Sequence, residues 1–303
     1  IHVYIYHHKH VYVYEYVYRS SIHSITEKKG EKILFTLTAN IEKGGTGKTS
    51  TLYNLAEKTS EEATVLLIDQ DKSGNLSDRY RKYDFGLLKD ENKISNLYKG
   101  NDVEPIHIHK NLDLLAGGPE LAEIEDLIRD KPNNRLILFS WYVKNIEELQ
   151  KKYDYIFIDT HNDTSLITQN AWAVSDVVLG VSDPSMDGFK ALLKLGRDID
   201  TLRKELVEVR TGESYLVAKY YFIGNKVKHN TNSSKEFLEI ISKEPNYLGY
   251  VPDKELVNTA NLEMTPLVEI SKNKDLYNKH KNFFDHTWGV FDTILNKLNG
   301  SDK

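Results

Sequence analysis

The feature that most constrains this chain is a glycine-rich segment, KGGTGKT, at residues 43–49. An apolar run at residues 33–37 precedes it and predicts a buried strand, whereas residues 50–58 follow it with the pattern of a helix. A turn at this place that contains Gly44, Gly45 and Gly47 lets backbone N–H groups approach phosphate oxygens at the positive end of the helix. We therefore predict a phosphate-binding loop.

The side chains of this loop predict how a nucleotide would be held. Lys48 is placed to reach the β- and γ-phosphates, and Thr49 is placed to bring its hydroxyl to Mg²⁺. Thr46 and Ser50 complete the segment that we expect to contact the nucleotide.

The loop departs from the ordinary Walker A pattern at two positions. That pattern has a glycine five residues before Gly47, where this chain has Glu42, and Lys43 is an extra cation beside the glycines. In this deviant form the loop resembles that of the ParA/MinD superfamily of ATPases. The resemblance implies ATP and Mg²⁺ as cofactors and a homodimer in which Lys43 reaches the partner's nucleotide while Lys48 acts within its own subunit. A glycine-rich turn that binds nothing is disfavoured, because the strand, the loop, its lysine and hydroxyl, and the helix all fit a phosphate-binding site.

Two further apolar runs end in carboxylates. Residues 63–68 are followed by Asp69 and Asp71, whose spacing places them on one side of an extended chain, and residues 153–158 are followed by Asp159. At the carboxyl ends of parallel strands these groups would face a ligand crevice, and Asp159 has the Walker B position that holds Mg²⁺. The segment around Asp71 resembles the ParA version, which implies that Asp71 orients or activates the attacking water and that Asp69 supports Mg²⁺. Taken alone, the two aspartates fit an acidic turn capping the next helix equally well.

The chain departs from the family again after Thr160, where ParA-like proteins usually continue with two prolines. Here the residues are His161, Asn162 and Asp163. His161 could have a regulatory role or could simply face solvent in a loop. We expect the solvent-facing position, because it is the simpler alternative.

Two residues near the end of the chain are candidates for the base pocket. Asn225 follows a predicted strand at residues 216–224 and resembles the adenine-contacting position of the superfamily. An amide can match the donor and acceptor of adenine together, although a turn asparagine explains the position equally well. Pro252 ends the last predicted strand and would line the same pocket.

The C-terminal third carries two groups of basic residues. By resemblance to ParA-like dimers, these groups imply binding to nonspecific DNA through phosphate contacts. A solvated charged face is the commoner meaning of scattered lysines, and nearby glutamates weaken the patch. The two groups are Lys226, Lys228, His229 and Lys235, and then Lys272, Lys274, Lys279 and Lys281.

The last predicted helix has a single apolar stripe formed by Phe284, Trp288, Phe291, Leu295 and Leu298. A membrane-surface helix would have lysines along its polar face, and this face holds mainly acidic and neutral groups. We therefore expect the helix to dock onto the domain's own core and expect no membrane partner.

Composition limits the remaining choices. The 303 residues contain no cysteine, which excludes disulfides and the cysteine-held iron–sulfur clusters of some relatives of this superfamily. The formal net charge is −5, so nucleic-acid binding would need a local basic patch. Residues 1–18 alternate Ile, Val, Tyr and His, and the codons of such a peptide suggest translation of an alternating DNA repeat. We interpret residues 1–31 as an atypical extension and linker, and residues 32–303 as one ParA-like ATPase domain.

The alternation of strands and helices predicts an α/β fold, a doubly wound and mostly parallel sheet with helices on both faces. The resemblance implies a cytoplasmic, nucleoid-associated partition ATPase that segregates plasmid or chromosome DNA, with hydrolysis stimulated by a ParB-like centromere-binding protein. Two alternatives remain, a MinD-like membrane-associated positioning ATPase and a bacterial tyrosine-kinase-like ATPase.

Overall fold

The computed structural model describes residues 33–81 and 88–300. The strands of this part of the chain are β1 Phe35–Asn40, β2 Val65–Gln70, β3 Ile106–His109, β4 Leu112–Leu115, β5 Tyr155–Thr160, β6 Val177–Ser182, β7 Lys219–Val227 and β8 Tyr247–Pro252. The α-helices are α1 Lys48–Thr59, α2 Asn75–Asp78, α3 Ile94–Tyr98, α4 Leu121–Ile128, α5 Ile137–Lys152, α6 Leu166–Val174, α7 Met186–Glu205, α8 Asn232–Ile241, α9 Glu255–Leu262, α10 Leu267–Ser271, α11 Lys274–Lys279 and α12 Lys281–Leu298. The predicted extension and linker, residues 1–31, lie outside the described residues.

The strands form one eight-stranded sheet in the order β3-β4-β2-β5-β1-β6-β7-β8. Neighbouring strands are parallel except β3 and β4, which are antiparallel. The predicted doubly wound, mostly parallel fold is therefore confirmed. Strand β1 lies between β5 and β6, and the chain leaves it towards β2 on one side before it reaches β6 on the other. A sheet with this topology has its ligand crevice at the carboxyl ends of the strands beside β1.

Helices cover both faces of the sheet. Side chains alternate along a strand, so Leu37 and Phe157 pack with α1 and α12 on one face, whereas Ile156 and Ile158 pack with α4, α5 and α6 on the other. Burial on both faces explains why the central strands are almost continuously apolar.

Helix α12 carries the predicted apolar stripe. Phe284, Phe291 and Leu298 are buried, and Trp288 and Leu295 pack partly buried against the same core. The prediction that this helix docks onto the chain's own core is confirmed. Over the described residues, no helix combines the length and apolarity that a bilayer crossing requires.

Some elements differ from the sequence prediction. Strand β3 and helix α5 were not predicted, and the helix expected at residues 189–208 begins at Met186 and ends at Glu205. Its early start is explained by Ser185, whose hydroxyl caps the helix by accepting a hydrogen bond from the backbone N–H of Gly188 at 3.0 Å.

Candidate nucleotide site

The glycine-rich loop joins the carboxyl end of β1 to the first residue of α1. Gly45 and Gly47 have φ values of +76° and +89°, a region that other residues adopt only with strain. A Cβ atom on Gly47 would also lie 2.3 Å from Nδ2 of Asn225. No side chain caps the N-terminus of α1. The backbone N–H groups of its first turn therefore remain available to an anion, as the sequence predicted for this loop.

Lys48, Thr49 and Asp159 form one contact group below this loop. The Nζ atom of Lys48 lies 2.8 Å from Oδ1 of Asp159 and also donates to the carbonyl oxygen of Thr160. The hydroxyl of Thr49 donates to Oδ2 of Asp159 at 2.7 Å. Lys48 and Asp159 are both buried, so this lysine is held inside the site rather than on the surface. The loop and the carboxyl end of β5 thus meet at Asp159.

Asp69 lies beside Asp159, because the two residues are direct neighbours in the parallel register of β2 and β5. Its carboxylate accepts hydrogen bonds from the backbone and hydroxyl of Ser77, at 2.9 and 2.7 Å, and from the backbone N–H of Asp71 at 3.0 Å. Complete burial, together with the charge of Asp159, raises the pKa of Asp69 to about 7. When the Asp69 carboxylate is ionised, its negative charge in this buried position attracts a nearby cation.

Asp71 is a wall residue of the cavity beside the loop. Its Oδ1 atom accepts hydrogen bonds from the backbone N–H of Ser73 and pairs with Nδ1 of His161, each at 2.8 Å. Burial by itself raises the pKa of Asp71, but the hydrogen bonds from Ser73 and His161 and the charge of Lys48 outweigh it and hold the pKa below its usual range. The carboxylate is therefore ionised and fixed in direction.

The expectation of a solvent-facing His161 is wrong. Its side chain is 31% exposed and is held against the nearly buried carboxylate of Asp71. The turn after β5 thus gives Asp71 a hydrogen-bonding partner at a position where the ParA-like proteins that this chain resembles usually have proline.

A cavity of about 480 Å³ extends from the loop towards the C-terminal helices. Asn225 and Pro252 both line it, and Nδ2 of Asn225 donates to the carbonyl oxygen of Thr46 at 2.7 Å. Other predicted residues in its wall are Gly45, Thr46, Gly47, Lys48, Thr49, Ser50 and Asp71. Three predicted residues are not among those that line the cavity: Asp69 and Asp159 are buried in the contacts described above, and Gly44 is exposed.

Lys43 is directed away from the cavity. Its Nζ atom lies 2.5 Å from Oδ1 of Asp183 and 2.7 Å from the hydroxyl of Ser185, at the start of α7. Its side chain is 26% exposed. Sequence reasoning did not single out Asp183 or Ser185, although both follow β6 at the edge of the sheet where the other site residues lie.

A second cavity, of about 580 Å³, brings the two predicted groups of basic residues together. Lys228 and Lys235 line it from one side and Lys279 and Lys281 from the other, with Lys254 also in its wall. We call this cavity, lined by these five lysines with His229, His280 and His286, the basic groove.

The basic groove also contains a carboxylate, since Asp253 lines it 4.0 Å from Lys228, and Lys281 pairs with Asp285. Burial and the charges of Lys279 and Lys254 lower the pKa of His280. Three predicted lysines lie elsewhere: Lys226 donates to the carbonyl oxygen of Gly45 at 2.8 Å, Lys272 pairs with Glu269, and Lys274 is the first residue of α11.

Comparison with known proteins identifies relatives of the chain. The family model described as "AAA domain" matches residues 36–209. The chromosome partitioning protein ParA of Myxococcus xanthus is 32% identical over 177 residues, which are 54% of this chain and 58% of that protein. The chain therefore spans less than two thirds of that relative's length.

Solved structures share the fold. A plasmid partition protein from Borrelia burgdorferi, bound to AMPPNP, has a TM-score of 0.70 at 23% identity and covers 88% of this chain and 100% of its own. An ATP complex of McdA from Cyanothece has a TM-score of 0.71 at 16% identity, over 90% of this chain and 98% of its own. At these identities the likeness shows the fold.

Proposed function

Because this chain belongs to the ParA-type family of P-loop ATPases, we propose that it is a partition ATPase that hydrolyses ATP to ADP and phosphate and segregates plasmid or chromosome DNA. One observation carries the proposal: Lys48 and Thr49 of the loop meet Asp159 at the head of an ATP-sized cavity, while a second loop lysine, Lys43, is directed out of it. An ordinary phosphate-binding loop does not require that second lysine.

The residues present fit ATP and Mg²⁺. The hydroxyl of Thr46 is buried without a hydrogen-bonding partner among the described residues, and the wall at Gly47 leaves no space for a Cβ atom. Gly44, Gly45, Thr46, Gly47, Lys48 and Ser50 would hold the phosphates, and Asn225 and Pro252 would border the base. Thr49 and Asp159 would hold Mg²⁺ with support from Asp69, because a hydroxyl and carboxylates are oxygen ligands that Mg²⁺ accepts beside nucleotide phosphates. When bound, the metal ion neutralises charge that develops on the phosphoryl oxygens.

Asp71 would orient the attacking water. Three observations support this role: its place in the cavity wall, its lowered pKa, and the hydrogen bonds that fix its direction. An ionised carboxylate in a fixed direction accepts a proton or hydrogen bond from water without reorganisation.

Two subunits would form a homodimer that encloses two nucleotides. In this arrangement Lys48 acts on the nucleotide of its own subunit and Lys43 on that of the partner. The direction of Lys43 supports this assignment, since it leaves the cavity of its own subunit and is only partly buried. Its release from Asp183 and Ser185 would accompany dimer formation.

Nonspecific DNA would bind in the basic groove. Lysines from two parts of the sequence meet there, and lysine contacts to phosphates do not depend on base sequence. A ParB-like centromere-binding partner would stimulate hydrolysis and release the dimer from the nucleoid in the cytoplasm. Residues 32–303 would form the single ATPase domain that does this. The membrane-positioning alternative is not proposed, because it needs a free apolar face on α12 and that face is buried.

DNA binding tests this proposal directly. We expect a fluorescently labelled duplex of random sequence to bind with ATP and Mg²⁺, and to bind much more weakly with ADP or without nucleotide. Binding should weaken as the salt concentration rises. In the double variant Lys235→Gln, Lys279→Gln, the slope of the logarithm of affinity against the logarithm of salt concentration should decrease in magnitude by about one for each DNA phosphate that is no longer neutralised. The matched control, Lys110→Gln with Lys151→Gln, removes two exposed lysines outside the basic groove and should bind like the wild type. Equal affinity in all nucleotide states would contradict the proposal.

A further inference from the structure

Arg79 is a cation in the cavity wall that has no charged partner among the described residues. It follows the last residue of α2 and lines the same cavity as the phosphate-binding loop. Its Nη1 atom donates to Oδ1 of Asn261 at 3.0 Å, and its guanidinium carbon lies 4.8 Å from the ring centroid of Tyr53. Both of these neighbours are uncharged. Within residues 33–81 and 88–300, no carboxylate forms an ion pair with Arg79.

The guanidinium is unfavourably placed without an anion. It is partly buried, and this burial lowers its pKa. Arginine nevertheless remains protonated in proteins, so the positive charge persists in a partly desolvated position. Arg81, two residues later, differs in both respects because it is 75% exposed and pairs with Asp78 at 2.7 Å. A partly buried cation that faces a cavity and contacts only neutral groups among the described residues is suited to an anionic ligand.

The contacts of Asn261 place Arg79 relative to the loop. The same Oδ1 atom that accepts from Arg79 also accepts from the hydroxyl of Ser50 at 2.7 Å. Ser50 is in the first turn of α1, two residues after Lys48, and the backbone of this type of loop surrounds the α- and β-phosphates while its lysine reaches the β- and γ-phosphates. A cation beside Ser50 is therefore on the α-phosphate side of the site.

We propose that Arg79 binds the α-phosphate of the nucleotide and so contributes to the affinity for ATP and ADP alike. The inference rests on the proposed function, since it requires the cavity to bind a nucleotide. It assigns Arg79 a ligand contact in addition to its contact with Asn261. A guanidinium can make such a contact with two parallel N–H groups, which is the geometry that phosphate accepts best.

A purely structural Arg79 would behave differently. If its only role were to link α2 to Asn261 and Tyr53, its removal would lower the melting temperature of the nucleotide-free protein and leave the nucleotide affinity of the folded protein unchanged. A ligand-binding Arg79 has the opposite signature, because loss of an unpaired buried charge leaves the nucleotide-free protein unchanged or more stable.

The test compares Arg79→Met with the matched control Arg81→Met in the full chain. Isothermal titration with ATP and with ADP, both with Mg²⁺, gives the dissociation constants, and thermal melting without nucleotide gives stability. For Arg79→Met we expect both dissociation constants to rise at least tenfold and by similar factors, with an unchanged or higher melting temperature. Arg81→Met should match the wild type in every measurement.

Several results would overturn the inference. One such result is wild-type nucleotide affinity in Arg79→Met. Another is a loss of affinity for ATP without a loss of affinity for ADP, which would put the contact at the γ-phosphate. Arg79→Gln serves if the methionine variant does not fold, since glutamine keeps a donor for Asn261 without the charge, and full affinity in this variant would also refute the charge contact. A wild-type protein that binds neither nucleotide would refute the proposed function itself, whereas the comparison of variants in a nucleotide-binding protein reports on Arg79 alone.

Discussion

The buried pair Asp69 and Asp159 predicts how the stability of the nucleotide-free, metal-free protein depends on pH. Asp69 is completely buried, and burial and the neighbouring carboxylate raise its pKa from 3.8 to about 7. In the unfolded chain the group has its ordinary pKa. Between these two values the native state therefore binds a proton that the unfolded state has lost, so the free energy of unfolding falls as the pH rises from about 4 to about 7.

The magnitude follows from the size of the shift. A difference of about 3 pKa units, at about 1.4 kcal/mol for each unit, corresponds to about 4 kcal/mol of lost stability once the pH exceeds 7. Below pH 4 the group is protonated in both states and contributes nothing. Between pH 5 and pH 8 the expected loss from Asp69 is about 2.5 kcal/mol.

Urea unfolding of the wild type and of Asp69→Asn, in EDTA and without nucleotide, isolates this contribution. The variant cannot ionise at this position, although its amide also loses one of the hydrogen bonds that the carboxylate accepts from Ser77. That loss shifts its curve by an amount independent of pH, and the titrating groups that do not interact with Asp69 act on both proteins alike. We therefore expect the difference between the two free energies of unfolding to change by about 2.5 kcal/mol from pH 5 to pH 8, in favour of the variant. Parallel curves would refute the reasoning.

Three further substitutions test other parts of the account. Gly47→Ala places a Cβ 2.3 Å from Asn225 in a left-handed backbone, so isothermal titration should show at least tenfold weaker ATP binding in a folded protein; wild-type affinity would mean that the loop relaxes freely. His161→Leu should lower kcat about tenfold with little change in KM, because it removes the partner of Asp71. His161→Asn, which keeps a donor near Nδ1, should restore most of the rate, and equal kcat in both variants would contradict this. Phe284→Ala should destabilise the protein to urea by about 3–5 kcal/mol, since this ring on α12 is fully buried against the core; a loss below about 1 kcal/mol would be inconsistent with a docked helix.

Local sequence was sufficient to predict the loop between β1 and α1 and the strands that carry Asp69 and Asp159 near their carboxyl ends. In the two strands the signal is an apolar run followed directly by a carboxylate, and the parallel sheet then brings the strand ends together. The docking of α12 was predictable for a similar reason, because an apolar stripe opposite a polar face with few lysines indicates burial against the core.

The contacts that define the site in detail were not predictable in this way. Lys43 meets Asp183 across 140 residues of sequence, and Asn225 meets Thr46 across 179. Neither side chain signals its partner, since the pairing depends on which loops the sheet order places side by side. His161 was assigned to solvent because a loop histidine usually faces water, and only the position of β2 next to β5 brings Asp71 within reach.

The elements that were missed have ambiguous patterns. Helix α5 begins with Ile137-Leu138-Phe139 and continues through aromatic and β-branched residues that fit a strand as well as a helix. Strand β3 is only four residues long and alternates isoleucine with histidine, which gives little apolar signal. Its antiparallel pairing with β4 depends on the sheet edge that the rest of the fold supplies.

The central claim is that Lys43 acts on the nucleotide of a partner subunit, and mixing two inactive variants tests it most directly. Lys43→Ala should bind ATP, since Lys48 remains, but should not hydrolyse it, and Asp71→Ala should be inactive because the water is no longer oriented. In a mixed dimer the Lys43→Ala subunit keeps its own Asp71 and receives Lys43 from its partner. An equal mixture should therefore recover about a quarter of the wild-type ATPase rate, because about half of the dimers are mixed and each has one complete site. A mixture that stays inactive, or a Lys43→Ala protein that hydrolyses ATP at the wild-type rate, would contradict the account.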